Sequence, residues 1–199
     1  MSVGIVVGTY GSEEWRQKGL EAAASVVTQA EVCHVHSDTL ARARNEGAFG
    51  FHVRSVKNPD WLIFLDADDR LDPNYVESML KGTGDIRKPS TIGVYPDGTM
   101  DDAPCMIPTR DLRTSNHIVI GAMCNANLFH QVGGFRELDA LEDWDLWIRM
   151  TLAGASVVEC PDAVYRVGVN PNSRNSNSNA HNRICNQIRA EYRDQWKSL

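Results

Sequence analysis

"DWLIFLDADDRLDP", residues 60–73, is the stretch whose reading decides the fold. Its first half is a short apolar run of the kind that forms a strand buried on both faces. Its second half sets Asp66, Asp68 and Asp69 at the tip of that run. Like charges this close raise the cost of ionising one another, so a positive partner is expected there. Along an extended segment, residues two apart point the same way. Asp66 and Asp68 are therefore expected to converge on one cation, with Asp69 or a water beside them. Carboxylates without histidine or thiolate suit a hard divalent ion, Mn2+ or Mg2+, completed by phosphate oxygens and water.

Two other uses of such acid fail on neighbouring residues. A calcium EF-hand loop needs Gly where Leu71 stands, and a haloacid-dehalogenase phosphatase needs Thr or Val where Arg70 stands. A third use stays open: an acidic turn capping the next helix, which Asp72 alone could serve.

Strand-like and helical runs alternate around this stretch. "GIVVGTY" (4–10), "EVCHVHS" (31–37), "TIGVYP" (91–96), "SNHIVIG" (115–121) and "ASVVECP" (155–161) read as strands. A helix is expected from Ser12, its N-cap, to about Gln29, and a second over "LARARNEGAFGF" (40–51). A third should start at Asp72-Pro73 and close at Gly82, a fourth should span about 125–132 and stop at Gly133-Gly134, and a fifth should cover 139–153. Such alternation implies an α/β fold with a mostly parallel central sheet flanked by helices, binding ligands outside the carboxyl ends of the strands.

Composition sets limits. The 199 residues are 42% hydrophobic and 23% charged, ordinary for one globular domain with a core of its own. A net charge of −6 gives no global basic footprint for nucleic acid or anionic membrane. The five cysteines include no CxxC pair, so neither a disulfide framework nor a structural zinc site is signalled. The start, "MSVGIVVGTYG", lacks a signal peptide's basic region, and no apolar run approaches membrane-spanning length. A cytoplasmic protein without stable membrane insertion is expected. Residues 1–168 would form the domain, 183–199 a C-terminal helix packed on it, and 169–182 the connection. "VNPNSRNSNSNAHNR" (169–183) is rich in Asn and Ser and cannot pack a core. It reads either as a solvated linker or as a lid over a site.

The segment "VGGFRELDALEDWDLWIRM" (132–150) carries a second acidic signal. Asp139 and Glu142 have capping-box spacing, which would start the helix near 139 or 140. On a helical wheel Trp144, Trp147, Ile148 and Leu152 form the apolar arc, and Glu142, Asp145 and Arg149 lie opposite. Asp143 falls at the edge of the apolar arc, so its carboxylate is expected to face inward. An inward carboxylate needs a partner or a task. Its alternative use is to cap a helix that starts a turn later.

Taken together, these stretches resemble the inverting nucleotide-sugar glycosyltransferases of family 2, which have the GT-A fold. The resemblance runs over roughly residues 3–168: "IVVGTY" for the first strand, "HSD" (36–38) for the end of the second, "LARARNEG" (40–47) for the A-x-A-R-N-x-G helix, "FLDADDRLDP" for the D-x-D-D motif and "VGGFRE…EDWDLWIRM" for the acceptor-side motif. It implies a metal-dependent hexosyl- or hexosaminyl-transferase with a nucleotide-sugar donor, a UDP-sugar being favoured, and a hydroxyl-bearing acceptor. That acceptor could be a saccharide, protein, lipid or modified nucleic acid. By the same resemblance Thr9, Tyr10 and Asp38 flank the base, Arg44 assists the donor, Asp66 sits near the ribose and Asp68 ligates Mn2+ or Mg2+. Asp143 is then the general base, with Glu142 and Trp144 on the acceptor side. Trp144 serves equally well as a core aromatic.

One departure is visible. Where family members often place a metal-binding His after the last strand, this chain has "YRVGVN" (165–170), and the nearest histidine is His181, inside the Asn/Ser loop. Two other classes remain in view. Nucleotidyltransferases of the same fold usually carry a basic Gly-rich N-terminal loop, whereas "GTYGSEEW" is followed by acids. A degenerate sugar-binding domain would not need both acidic motifs.

Overall fold

The computed structural model describes residues 1–54, 58–169 and 178–195. In chain order its elements are β1 (Val3–Tyr10), α1 (Glu13–Ala24), β2 (Glu31–Ser37), α2 (Leu40–Arg54), β3 (Trp61–Leu65), β4 (Arg70–Leu71), α3 (Tyr75–Leu80), β5 (Ile86–Val94), β6 (Met123–Asn125), α4 (Ala126–Gln131), α5 (Glu142–Leu152), β7 (Val157–Gly168) and α6 (Ser178–Tyr192). They build an α/β domain on one seven-stranded sheet of order β2-β1-β3-β6-β5-β7-β4. β1 carries the apolar sequence that a central strand needs, and Ile5, Val6 and Val7 are fully buried between β2 and β3.

The sheet is mixed where a mostly parallel one was expected. β1 runs parallel to β2 and β3, and β5 to β7, but β3–β6, β5–β6 and β4–β7 are antiparallel. The cause is β6. This three-residue strand enters between β3 and β5 in the opposite sense, after a long irregular segment instead of a crossover helix.

Two helix starts and one helix end differ from expectation, and at both starts a polar side chain is spent elsewhere. Asp72 accepts from Arg166 Nε on β7, and α3 begins only after Asn74. Glu142 accepts from Arg44 and closes no capping box, so α5 starts at Glu142 itself, behind Leu141 with φ at 60°. α1 ends at Ala24, and residues 25–29 continue as turns. The "SNHIVIG" stretch is no strand. Ile118 and Ile120 are buried from irregular backbone. α4 does stop at Gly133-Gly134, whose φ values of 82° and 71° favour glycine.

A second, smaller core lies between α5 and α6, where Trp144 and Ile148 pack against Ile184, Cys185, Ile188 and Tyr192. α6 begins at Ser178, so residues 178–182, expected within the loop, form its first turns. The rest of the expected lid, 170–177, lies outside the described residues. Among the described residues no helix is long and apolar enough to cross a membrane.

β4 and β7 place the site. β4 follows directly from the acidic turn and pairs with the end of β7, Arg70 opposite Arg166 and Leu71 opposite Tyr165. Gly168 closes this corner, because a Cβ there would stand 2.3 Å from the Asp68 carbonyl oxygen. No side chain, histidine included, fits at 168 while that turn holds its place. Gly168→Ala should therefore move the turn, lowering both the unfolding temperature in a thermal melt and the affinity for a nucleoside diphosphate in calorimetry.

Candidate active site

At the tip of β3 the chain makes a tight turn, the Asp69 amide donating to the Asp66 carbonyl at 3.1 Å. The three carboxylates therefore do not alternate as along a strand. Asp69 turns inward: it is buried, accepting from Tyr165 Oη at 2.6 Å and from the Gly168 amide at 2.7 Å. Burial, and then Asp66, hold its carboxyl well above the ordinary range. It ties the turn to β7 and is not available to a ligand. Asp66 and Asp68 remain. Asp68 is exposed, yet partial desolvation and then the neighbouring Asp66 charge raise its carboxyl, against a weaker pull from Lys18 and Arg70.

Asp66 is neutralised by Arg44. From α2, buried Arg44 donates Nη2 to Asp66 Oδ1 at 2.5 Å and Nη1 to Glu142 Oε1 at 2.8 Å. A single guanidinium thus joins the tip of β3 to the start of α5. Desolvation opposes its charge, but Asp66 and Glu142 outweigh that and raise its pKa. Arg44 is 2% exposed and holds both carboxylates.

Asp143 follows Glu142 and keeps part of its surface open. Its Oδ1 accepts from the Trp144 amide at 2.8 Å, and its Oδ2 accepts from Asn116 Nδ2 at 2.9 Å. Desolvation and then the Glu142 charge push its carboxyl up to about 6, while Arg44, the Trp144 amide and Asn116 pull it down. Asp143 is thus a partly exposed carboxyl poised near neutrality. Asn116 was not singled out from sequence, where it sits in an apolar run that read as a strand.

The remaining expected residues separate. Tyr10, Asp38 and Glu142 line a cavity of about 340 Å3 together with Thr39, Glu137 and Asp139. Thr9 does not line it. It is buried, with its hydroxyl 2.9 Å from His34 Nε2 and 3.0 Å from His36 Nδ1. Trp144 is 1% exposed, donates Nε1 to the Leu112 carbonyl at 2.8 Å and belongs to the α5–α6 core. It is a core aromatic and no platform for a sugar. The helix face carrying Glu142 and Asp145, placed opposite the apolar arc, is buried too, because Arg44 pairs with Glu142 while Arg149 and Tyr192 pair with Asp145. His181 sits in the first turns of α6. Among the described residues no three His, Cys, Asp or Glu side chains gather as a metal site.

The mixed α/β sheet and its helices build a GT-A-like fold, and solved structures share that fold. S. aureus TarS residues 1–349 superpose with a TM-score of 0.57 at 14% identity, over 84% of this chain and 60% of that one. GalNAc-T7 with UDP, GalNAc and Mn2+ gives a TM-score of 0.54 at 9% identity, over 85% of this chain and 44% of that one. A further S. aureus TarS structure gives 0.58 at 15% identity, over 86% and 37%. The chain thus spans between about a third and three fifths of these proteins' lengths. Identities this low show the fold alone. Neither a family model nor a curated protein matches the sequence.

Proposed function

We propose that this chain is a metal-dependent inverting glycosyltransferase that moves a sugar from a nucleoside-diphosphate donor, a UDP-sugar, to an acceptor hydroxyl. The observation that carries this reading is the Arg44 bridge. One buried guanidinium fixes the acidic turn of β3 relative to Glu142, the residue next to a carboxyl raised to about 6. A donor-side acid and an acceptor-side base are thereby held in one frame, as in-line displacement requires.

In this reading Asp143 takes the proton of the acceptor hydroxyl. The oxygen then bonds to the anomeric carbon as the bond from that carbon to the diphosphate oxygen breaks, and the nucleoside diphosphate leaves. Tyr10 and Asp38 line the cavity in which the nucleoside would lie. Asp68 would hold Mn2+ or Mg2+, with Asp66 beside it. The donor set fits: one exposed carboxylate, disfavoured by a like charge and completed by phosphate oxygens, suits a hard divalent ion that needs no closed protein cage. When bound, the ion supplies Lewis-acid neutralisation of the departing diphosphate. A related fold has been seen with UDP, GalNAc and Mn2+ together, which supports both the donor class and the metal.

Titration of the chain with UDP in a calorimeter tests this. Binding should require Mn2+. Asp68→Ala should abolish the metal-dependent part while leaving the melt nearly unchanged, because Asp68 is exposed. Undiminished Mn2+-dependent binding in the variant would remove Asp68 from the site.

A further inference from the structure

We propose that Asn116 is the positioning residue of the Asp143 base: it fixes the direction of the carboxylate and favours its ionised form. The inference rests on the reading of Asp143 as the base. The amide of Asn116 has one possible orientation. Its Oδ1 accepts from the Ile118 amide at 3.1 Å, which leaves Nδ2 to donate to Asp143 Oδ2 at 2.9 Å. With Oδ1 of Asp143 held by the Trp144 amide at 2.8 Å, both oxygens of the carboxylate have a fixed donor. Rotation about the side chain would break one bond or the other.

The segment that carries Asn116 is built to stay in place. Residues 111–118 form no helix or strand, and three of their carbonyls take partners from outside the segment. Side chains of α5 and α6 supply them. Trp144 Nε1 donates to the Leu112 carbonyl at 2.8 Å, Arg189 Nη2 to the Thr114 carbonyl at 2.5 Å and Trp147 Nε1 to the Ile118 carbonyl at 3.0 Å. Both tryptophans flank Asp143 on its own helix, so base and positioning residue hang from one element. α6 latches the segment from the other side.

Chemistry favours an amide here. The charged groups acting on Asp143 are Glu142 from its own helix, which disfavours ionisation, and Arg44 from α2, which favours it. Arg44 is already shared between Asp66 and Glu142. A second cation would depress the base out of the useful range, whereas a neutral N–H donor orients it and adds a modest pull toward the ionised form.

Two substitutions separate positioning from loop structure. Asn116→Asp keeps an acceptor for the Ile118 amide but replaces the donor with a like charge; Asn116→Ala removes both. Each should lower kcat for transfer by about 10–100-fold, the worth of a hydrogen bond to a charged group, with the donor KM unchanged. In each the acid limb of the pH–rate profile should move to higher pH, more in Asn116→Asp. A readout free of turnover is the carboxyl 13C shift of Asp143 followed by NMR in the full chain, whose midpoint should rise in both variants. If Asn116→Asp keeps wild-type kcat and neither variant moves the midpoint, the proposal is wrong, and the role of Asn116 is to hold the loop. If the midpoint moves but the wild-type chain transfers no sugar, the pairing of Asn116 with Asp143 stands and the transferase reading falls.

Discussion

Replacing Asp143 with Asn should lower sugar transfer by about two to four orders of magnitude, the usual worth of a positioned general base. The substitution keeps the shape and an acceptor for the Trp144 amide, but it cannot take a proton, and its Nδ2 meets the Asn116 Nδ2 donor where an oxygen accepted before. Donor affinity should hold, because Asp143 is not among the residues lining the cavity shared by Tyr10 and Asp38. Stability at pH 7 should change little, because the lost Asn116 hydrogen bond offsets the relief of removing a disfavoured charge. The folded-state carboxyl is raised to about 6 by desolvation and Glu142, so the fold favours the protonated form. That contribution is present below the ordinary Asp range and is lost as pH climbs through about 6, where the variant has no charge to bury. Wild-type transfer should accordingly fade as pH drops below about 6, while the residual activity of the Asn variant should lack that limb. Near-normal turnover in Asp143→Asn would return Asp143 to the role of a helix-start residue.

Removing Arg44 should be the most damaging single change to the fold. Arg44→Met leaves Asp66 and Glu142 facing each other without their shared cation, and Glu142 is only 5% exposed at its side chain. Breaking a buried pair from one side costs about 3–5 kcal/mol. For a domain of this size that is roughly 6–20 °C in unfolding temperature, at about 2–4 °C per kcal/mol. The sign of the pH effect follows. Without the shared cation the two carboxylates repel, and acid that protonates either one relieves this, so the gap to wild type should narrow as pH falls. A variant that melts with wild type at pH 7 would show that the bridge carries little.

Much of this frame was legible from residues alone, for identifiable reasons. β2 was read at its observed bounds because "EVCHVHS" alternates and is bracketed by turn residues. β3 and the turn after it were legible because a buried apolar run must end somewhere and the acid marks where. The failures lie where long-range partners override local rules. Glu142 looked like part of a capping box until Arg44, 98 residues away, claimed it. Asp72 looked like a helix cap until Arg166, 94 residues on, took its carboxylate. "SNHIVIG" has the composition of a strand, but it stays irregular because Trp147 satisfies the Ile118 carbonyl. Asp69 was expected beside the cation as an alternative to water, and only its bond to Tyr165, 96 residues later, reveals it as an anchor. No spacing rule reports such pairs. The inward aim of Asp143 could be read from helical periodicity, whereas its partner Asn116 could not, having no periodic pattern to stand out from.

The most direct measurement is a product assay on the full chain with Mn2+. One arm offers a panel of UDP-sugars with saccharide acceptors, and the other offers UTP with sugar 1-phosphates. Glycosyl transfer requires UDP from the first arm, dependent on Mn2+ and lost in Asp143→Asn, with no pyrophosphate from the second. Pyrophosphate from the second arm without UDP from the first would contradict transfer and make the chain a nucleotidyltransferase.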